Sequence, residues 1–291
     1  MKLLSLAKLN LYLEIIGRES DGYHQIESIM QTISLSDRVE VEPSDTPGIF
    51  VSSNLPSLPT DERNLAYKAA KLFIEKFGWI SEGVKIILEK NIPLASGMGG
   101  GSSNAATVLI AMAIMCGIDI LNSFMLEIAS RIGCDVPFFL YGGTAIARGK
   151  GTEITPLPPL EGIPVLVVVP DVEVSTRWAY KNIVVPLYPF RIPSILLNIL
   201  NKNNKIIDIK ELNRFLFNRF ASLILKIPKV KEAKDILESL GVENVALSGS
   251  GPTLFSLQED KEKCDRLAKI LREKFNLRAF SVELARGLIH V

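Results

Sequence analysis

The chain has 291 residues, 47% hydrophobic and 22% charged, which supplies apolar material for one large or two ordinary domains and excludes a disordered tail. Lys plus Arg is 33 and Asp plus Glu is 32, a formal net charge of +1, so no basic excess draws the chain onto nucleic acid or anionic lipid. Any anion site must be local.

Mean hydropathy is +0.25. The longest apolar run, Ala105 to Ile118, is interrupted by Thr107 and falls short of the roughly 18 to 20 residues that cross hydrocarbon. It predicts a buried helix. Met1 to Lys8 loses its apolar character too early for a signal peptide. Cys116, Cys134 and Cys264 lack C-x-x-C spacing and are expected to be reduced thiols of a cytoplasmic protein. With only His24 and His290, a His-rich metal site is excluded, and a Ser-His-Asp triad would have to use one of these two.

In chain order, the first residues alternate. Leu6, Lys8, Asn10 and Tyr12 point one way and Ala7, Leu9, Leu11 and Leu13 the other, which predicts a strand with one apolar face. Asp21-Gly22 marks a turn, and Gln31 to Glu42 reads as extended. Asn64 to Phe77 has helical spacing, and Val84 to Leu88 is a short strand. A Gly/Ser-rich loop, Pro93 to Ser103, leads into the long apolar helix, which ends near Met115 with Gly117 as its cap. Leu121 to Ile132 is a second helix. Four prolines between Thr155 and Pro164 suit a connector and predict two α+β domains, 1–158 and 159–291. Beyond it, Val165 to Val169, Leu254 to Leu257 and Arg278 to Leu284 read as strands, and Lys261 to Phe275 as a helix.

The most informative stretch is Pro93-Leu94-Ala95-Ser96-Gly97-Met98-Gly99-Gly100-Gly101-Ser102-Ser103. Its glycines allow positive φ and close approach to a ligand. The following helix offers unpaired N–H groups and its positive dipole end to an anion. Ser102 and Ser103 add hydroxyls and can cap the helix. Three readings stand: a flexible loop with a good cap, a dinucleotide fingerprint with Asp119 as its acid, and a triphosphate cradle. The fingerprint departs at Ser102, and no Gly-Lys-Ser/Thr makes a Walker A loop, so a phosphate-binding lysine must come from elsewhere.

Pro93 to Ala106 resembles the phosphate-binding motif of the GHMP kinases. Ala7-Lys8-Leu9-Asn10-Leu11-Tyr12-Leu13 with Asp21-Gly22-Tyr23-His24 resembles the opening of one branch, the kinases of 4-diphosphocytidyl-2-C-methyl-D-erythritol. Cys134-Asp135-Val136-Pro137-Phe138-Phe139, Val174-Ser175-Thr176 with Tyr180, and Leu247-Ser248-Gly249-Ser250-Gly251-Pro252-Thr253 resemble its catalytic, substrate-side and third motifs, in the same order. The resemblance implies an α+β GHMP fold. Its N-terminal domain would be like ribosomal protein S5 domain 2 and its C-terminal domain ferredoxin-like, with the active site between them. It also implies that ATP phosphorylates the 2-hydroxyl of that cytidine diphosphate compound, in non-mevalonate isoprenoid synthesis.

The family assigns proton acceptance to the position of Asp135, which could alternatively cap a helix begun by Val136-Pro137. Lys8 would stand beside it, stabilising the developing alkoxide; without the resemblance it is an ordinary solvent-facing strand lysine. Asn10, on the same strand face, could bind methylerythritol hydroxyls. Tyr23 and Tyr180 are candidates to stack on cytosine and His24 to read its edge, although tyrosines are often core or rim residues and a turn histidine is often merely solvated. Ser248, Gly249, Ser250 and Gly251 could clamp phosphates or form a tight turn. Magnesium is expected with ATP. No acidic cluster marks a metal cage, and Ser102 or Ser103 is the expected contact.

Three positions depart from the family pattern. Asn104 replaces an aspartate, which implies a less negative cradle edge and a preserved helix cap. Glu19 replaces a basic residue. Asn218-Arg219-Phe220-Ala221 replaces Asn-Asp-x-Glu. A kinase of homoserine or a mevalonate, a non-catalytic nucleotide-binding regulator and an NAD-binding enzyme are the rival functions.

Overall fold

The two longest strands set the frame. In the computed structural model, which describes residues 1–201 and 208–287, β1 (Lys2–Arg18) and β2 (His24–Ser44) pair as an antiparallel hairpin. The predicted turn joins them: the Tyr23 amide donates to the Asp21 carboxylate at 3.0 Å, and Gly22 has φ 88°. β1 does not keep the simple alternation of its sequence. Its register shifts at Leu6/Ala7, Asn10/Tyr12 and Ile15/Gly17, and Ser5 to Ile15 are buried on both faces. Bulges re-aim side chains within a strand, and here Lys8 and Asn10 end up inside the protein rather than in solvent.

The first half adds β3 (Gly48–Ser53), α1 (Leu65–Phe77), β4 (Gly83–Glu89), α2 (Gly100–Met115), α3 (Ser123–Ile132), α4 (Val136–Tyr141), β5 (Thr144–Gly149) and β6 (Glu153–Leu157). β3 lies outside the expected elements. Asn64 caps α1 by accepting from the Ala66 amide, and Asn122 caps α3, which therefore starts two residues later than its pattern suggests. Gly117 follows the Cys116 cap of α2 at φ 68°. The sheet order is β3-β4-β2-β1, with β5 on the first half of β2 and β6 on β5. Thr155, Pro156 and Leu157, expected in the connector, belong to β6; an edge strand tolerates proline because one side of it needs no donor.

The second half contains β7 (Pro164–Val169), α5 (Thr176–Asn182), α6 (Ser194–Leu200), α7 (Ile209–Asn213), β8 (Phe217–Asn218), α8 (Ala221–Ile224), α9 (Pro228–Ser239), β9 (Ala246–Leu247), β10 (Leu254–Leu257), α10 (Lys261–Phe275) and β11 (Arg278–Glu283). The second sheet has the antiparallel order β11-β7-β10-β9. Both its faces are covered, which explains the unbroken apolar run of β7. Leu166 and Val168 pack toward α9 and α10, while Val165, Val167 and Val169 pack toward Ala7, Leu9 and Leu11 of β1. One apolar core thus spans the two sheets, and β8 returns to pair in parallel with β1. His290 lies outside the described residues.

A third core, under α1 to α4, centres on Phe73, which is fully buried and meets Phe77 and Trp79. Phe73→Ala should lower stability by about 3–5 kcal/mol in urea unfolding; a loss under 1 kcal/mol would mean that α1 is not anchored by this ring.

Candidate active site

The glycine-rich stretch divides differently from its sequence. Gly97 (φ 81°) and Gly99 (φ 72°) make the turn, but Gly100 and Gly101 are already the first residues of α2. The cap is Gly99, which has no side chain to offer, so Ser102 and Ser103 do not cap the helix. The Ser103 amide donates to the Gly99 carbonyl at 2.8 Å, which leaves the N–H groups of Gly100, Gly101 and Ser102 without intrahelical partners at the cleft. Met98 and Ser103 turn away. Met98 is buried in the inter-sheet core, and Ser103 accepts from the Ser5 hydroxyl at 2.8 Å.

Gly97 also has a packing constraint. A methyl group there would lie 2.6 Å from the Ser248 carbonyl oxygen, and one on Gly251 would lie 2.6 Å from the Gly97 nitrogen. The two glycine motifs touch backbone to backbone. The Thr253 hydroxyl donates to the Ser96 carbonyl at 2.6 Å, and the Ser248 hydroxyl to the Gly97 carbonyl at 3.3 Å. Gly249 and Ser250 line the cleft, whereas Ser248 and Gly251 hold the loops together behind it.

Lys8 and Asp135 meet across this junction, with Nζ to Oδ2 at 3.7 Å. Lys8 is 4% exposed and its Nζ donates to Asn10 Oδ1 at 2.6 Å, so it is no surface lysine. Its amide donates to the Met98 carbonyl at 3.0 Å, which ties β1 to the glycine turn. Asn10 in turn donates to the Ser28 hydroxyl at 2.9 Å, so its side chain orients the lysine. Asp135 stands at the head of α4 but makes no side-chain cap bond; its backbone is already helical there. The carboxylate is left facing the cleft.

Asn104 does not edge the phosphate cradle, and it caps nothing. It lies buried behind the cradle, accepting from Lys90 Nζ at 2.7 Å and donating to Asp37 Oδ2 and Ser5 Oγ at 2.9 Å. Asp37, fully buried, is ion-paired to Lys90 and accepts from the Asn91 and Ile92 amides at 2.7 and 2.8 Å. This knot fixes where β4 hands over to the loop. Asp119, the candidate acid of a dinucleotide fingerprint, accepts from the Leu121 amide in an exposed turn after α2, not at the end of a second strand.

At the other end of the cleft, the His24 and Tyr180 rings stand 5.2 Å apart and tilted. Burial, with Arg18 second, holds the His24 imidazole below its ordinary 6.5. Burial, then the Asp135 carboxylate, pushes the Tyr180 phenol up. Tyr23 is 56% exposed at the mouth, its ring 4.8 Å from Lys150 Nζ. Lys150 also bonds Asp21 at 2.5 Å and reaches Glu19 at 3.7 Å, so the acidic departure at Glu19 is answered by a lysine from the β5–β6 turn.

Two family models match this chain, GHMP kinases N terminal domain over residues 64–143 and GHMP kinases C terminal over 200–277. Among curated relatives, the 4-diphosphocytidyl-2-C-methyl-D-erythritol kinase of Nostoc punctiforme is 35% identical, covering 99% of this chain and 96% of the relative. That of Clostridium perfringens is 38% identical over 94% of each. This chain belongs to the 4-diphosphocytidyl-2-C-methyl-D-erythritol kinase family of GHMP kinases. A crystal structure of a 4-(cytidine 5'-diphospho)-2C-methyl-D-erythritol kinase, 33% identical, superposes with a TM-score of 0.80 over 99% of this chain and all of that one. Homoserine kinase from Cytophaga hutchinsonii, 20% identical with a TM-score of 0.73, shares the fold.

The cleft of this GHMP kinase encloses about 1030 Å³. Lys8, Arg18, Lys90, Lys150, Arg177 and Lys181 line it against the carboxylates of Asp21 and Asp135. Cations therefore gather along this cleft in a chain of nearly zero net charge, one of them, Lys90, already matched by Asp37. Sequence reading missed all of them but Lys8, because they come from four distant parts of the chain: Arg18 at the end of β1, Lys90 after β4, Lys150 in the β5–β6 turn, and Arg177 with Lys181 on α5. Cys134, beside Asp135, is a partly buried thiol pushed up by burial; it, Cys116 and Cys264 are unpaired. Among the described residues no cluster of three or more acidic, histidine or cysteine side chains forms a metal cage, and no helix is long and apolar enough to cross a membrane.

Gly97→Ala introduces the 2.6 Å clash at a positive φ. It should raise the KM for ATP at least about tenfold. An unchanged KM would show that the loop binds nucleotide without this close approach.

Proposed function

We propose that Asp135 accepts the proton and Lys8 neutralises the developing charge when ATP phosphorylates the 2-hydroxyl of 4-diphosphocytidyl-2-C-methyl-D-erythritol. The kinase activity is that of the family to which the chain belongs, in non-mevalonate isoprenoid synthesis. The observation that carries the residue roles is the 3.7 Å approach of Lys8 to Asp135 beside the free N-terminus of α2.

Phosphoryl transfer asks the protein for position and charge rather than covalent chemistry. The amides of Gly100, Gly101 and Ser102 and the dipole of α2 would hold the triphosphate, with Pro93 to Gly97 as its wall. Lys8, oriented by Asn10, would stand beside the negative charge that grows on the acceptor oxygen. Asp135, free of any cap bond, can take the hydroxyl proton. His24 and Tyr180 would read and stack the cytosine, with Tyr23 closing the mouth.

Magnesium fits this site as a companion of the nucleotide. Ser102 lines the cleft, while Ser103 is already engaged with Ser5. When bound, the ion would neutralise phosphate charge. The divisions 1–158 and 159–291 would be the N-terminal ATP-binding and catalytic domain and the C-terminal GHMP domain. We place the protein in the cytoplasm, acting on small molecules; the three cysteines without C-x-x-C spacing and the net charge of +1 are what support this reading.

Asp135→Asn and Lys8→Ala should each lower kcat by at least about a hundredfold with little change in melting temperature. Near-normal turnover of purified Asp135→Asn would remove the proton-acceptor role. A panel of ATP with the cytidyl compound, homoserine and mevalonate tests the acceptor; preference for either of the last two would overturn the cytidyl reading.

His24 supplies a pH signature. Its lowered pKa means that neutral imidazole persists below pH 6.5. On further acidification both ring nitrogens become donors and base reading is lost. The KM for the cytidyl acceptor should stay flat through neutrality, rise only below pH 6.5, and lose that acid limb in His24→Gln. An equal rise in the KM for ATP would contradict the assignment.

A further inference from the structure

The segment Asn218-Arg219-Phe220-Ala221, which departs from the family pattern at Arg219 and Ala221, lies on neither the phosphate loop nor the cytidine pocket, yet it touches the supports of both. We propose that Asn218 and Phe220 are two positioning residues with separate duties: Asn218 sets the catalytic junction, and Phe220 sets the ring that receives the base. The inference rests on the kinase reading above and deepens it.

Asn218 is 7% exposed and fully committed. Its Nδ2 donates to the Leu247 carbonyl at 2.8 Å and the Gly249 carbonyl at 2.9 Å, while its Oδ1 accepts from the Phe220 amide at 2.9 Å. Gly249 is where position matters most. A methyl group on it would lie 3.0 Å from the Gly97 carbonyl oxygen and 3.5 Å from both Lys8 Nζ and Asn10 Oδ1. Asn218 thus holds the piece of backbone wedged between the phosphate loop and the lysine. It does so from β8, which is registered on β1 through Tyr12↔Phe217 and Leu13↔Asn218, the same strand that carries Lys8. The distance from amide to ammonium is therefore set within one hydrogen-bonded unit. Misplacement of a reacting group by about 1 Å can cost a hundredfold in rate.

Phe220 follows two residues later, in the apolar cluster that also holds Tyr180. It is fully buried, and its ring meets Tyr180 edge-on at 4.8 Å. Tyr180 meets His24 at 5.2 Å. The ring that would stack the cytosine is thereby held from behind by an aromatic edge. Arg219, between the two, keeps the segment in place. Its Nε donates to Glu14 Oε1 at 2.6 Å and its second nitrogen to Oε2 at 2.5 Å, and Glu14 is wholly buried on β1. Glu14 and Arg219 make a single two-point anchor.

The two duties separate kinetically. Steady-state rates of the full chain with ATP and 4-diphosphocytidyl-2-C-methyl-D-erythritol are measured for wild type, Asn218→Asp and Phe220→Leu, alongside thermal melts. Asn218→Asp keeps the acceptor for the Phe220 amide and deletes the donors to Leu247 and Gly249. It should lower kcat at least about tenfold and leave the KM for the cytidyl acceptor within about twofold. Phe220→Leu keeps apolar bulk and deletes the aromatic edge. It should raise that KM about three- to tenfold and leave kcat and the KM for ATP within about twofold. Variants that lose melting temperature only, or that shift the same parameter in parallel, would falsify the division of labour. A wild type that transfers no phosphate to this acceptor overturns the functional reading itself, and the inference with it.

Discussion

Gly97 and Gly251 pass one another with no room for a side chain on either, and the active cleft depends on that crossing. One glycine lies between β4 and α2, the other between β9 and β10. Their contact brings the helix N-terminus that can hold phosphate onto the turn that flanks Lys8. Any Cβ at these points would force the loops apart, so the first cost of substitution falls on geometry rather than on a lost contact.

The pair proposed to act on the acceptor, Lys8 and Asp135, depends on the same crossing by another route. Lys8 is buried because β1 is packed on both faces, by α2 and by the valines of β7. A buried ammonium needs partners: Asn10 Oδ1 accepts from it at 2.6 Å, and Asp135 Oδ2 pairs with it at 3.7 Å. Taking the lysine out of water would strengthen the charge stabilisation proposed for it, and the register shifts of β1 accompany its inward placement. The Asp37–Lys90–Asn104 knot performs the equivalent service behind the loop, where a second buried ammonium is matched by a carboxylate and an amide oxygen.

Much of this was legible in the residues. The turn at Asp21-Gly22, the helix over Asn64 to Phe77, the strand over Val165 to Val169 and the helix over Lys261 to Phe275 follow from periodicity and capping chemistry, which act over a few neighbouring residues. The glycine motif was visible, but its partition was not: a helix starting at Gly100 has no propensity signal, because glycine opposes helix and only packing against β1 and α1 offsets it. The capping roles expected of Ser102, Asn104 and Asp135 failed for a related reason. Each of these side chains resembles a cap in sequence, and tertiary partners or an already helical backbone took it elsewhere.

By itself the sequence determined the local elements, the ordered motifs that mark the GHMP kinases, and the absence of any global charge that would make this an anion-binding surface at large. The tertiary structure alone decided that Lys8 is buried 3.7 Å from Asp135, that five further cations from four parts of the chain share one cleft, and that Asn218 and Phe220 stand behind it. The physical reason is range. Propensity and capping are set between near neighbours, whereas a charge cluster or a backbone crossing exists only once residues more than a hundred positions apart have been packed together.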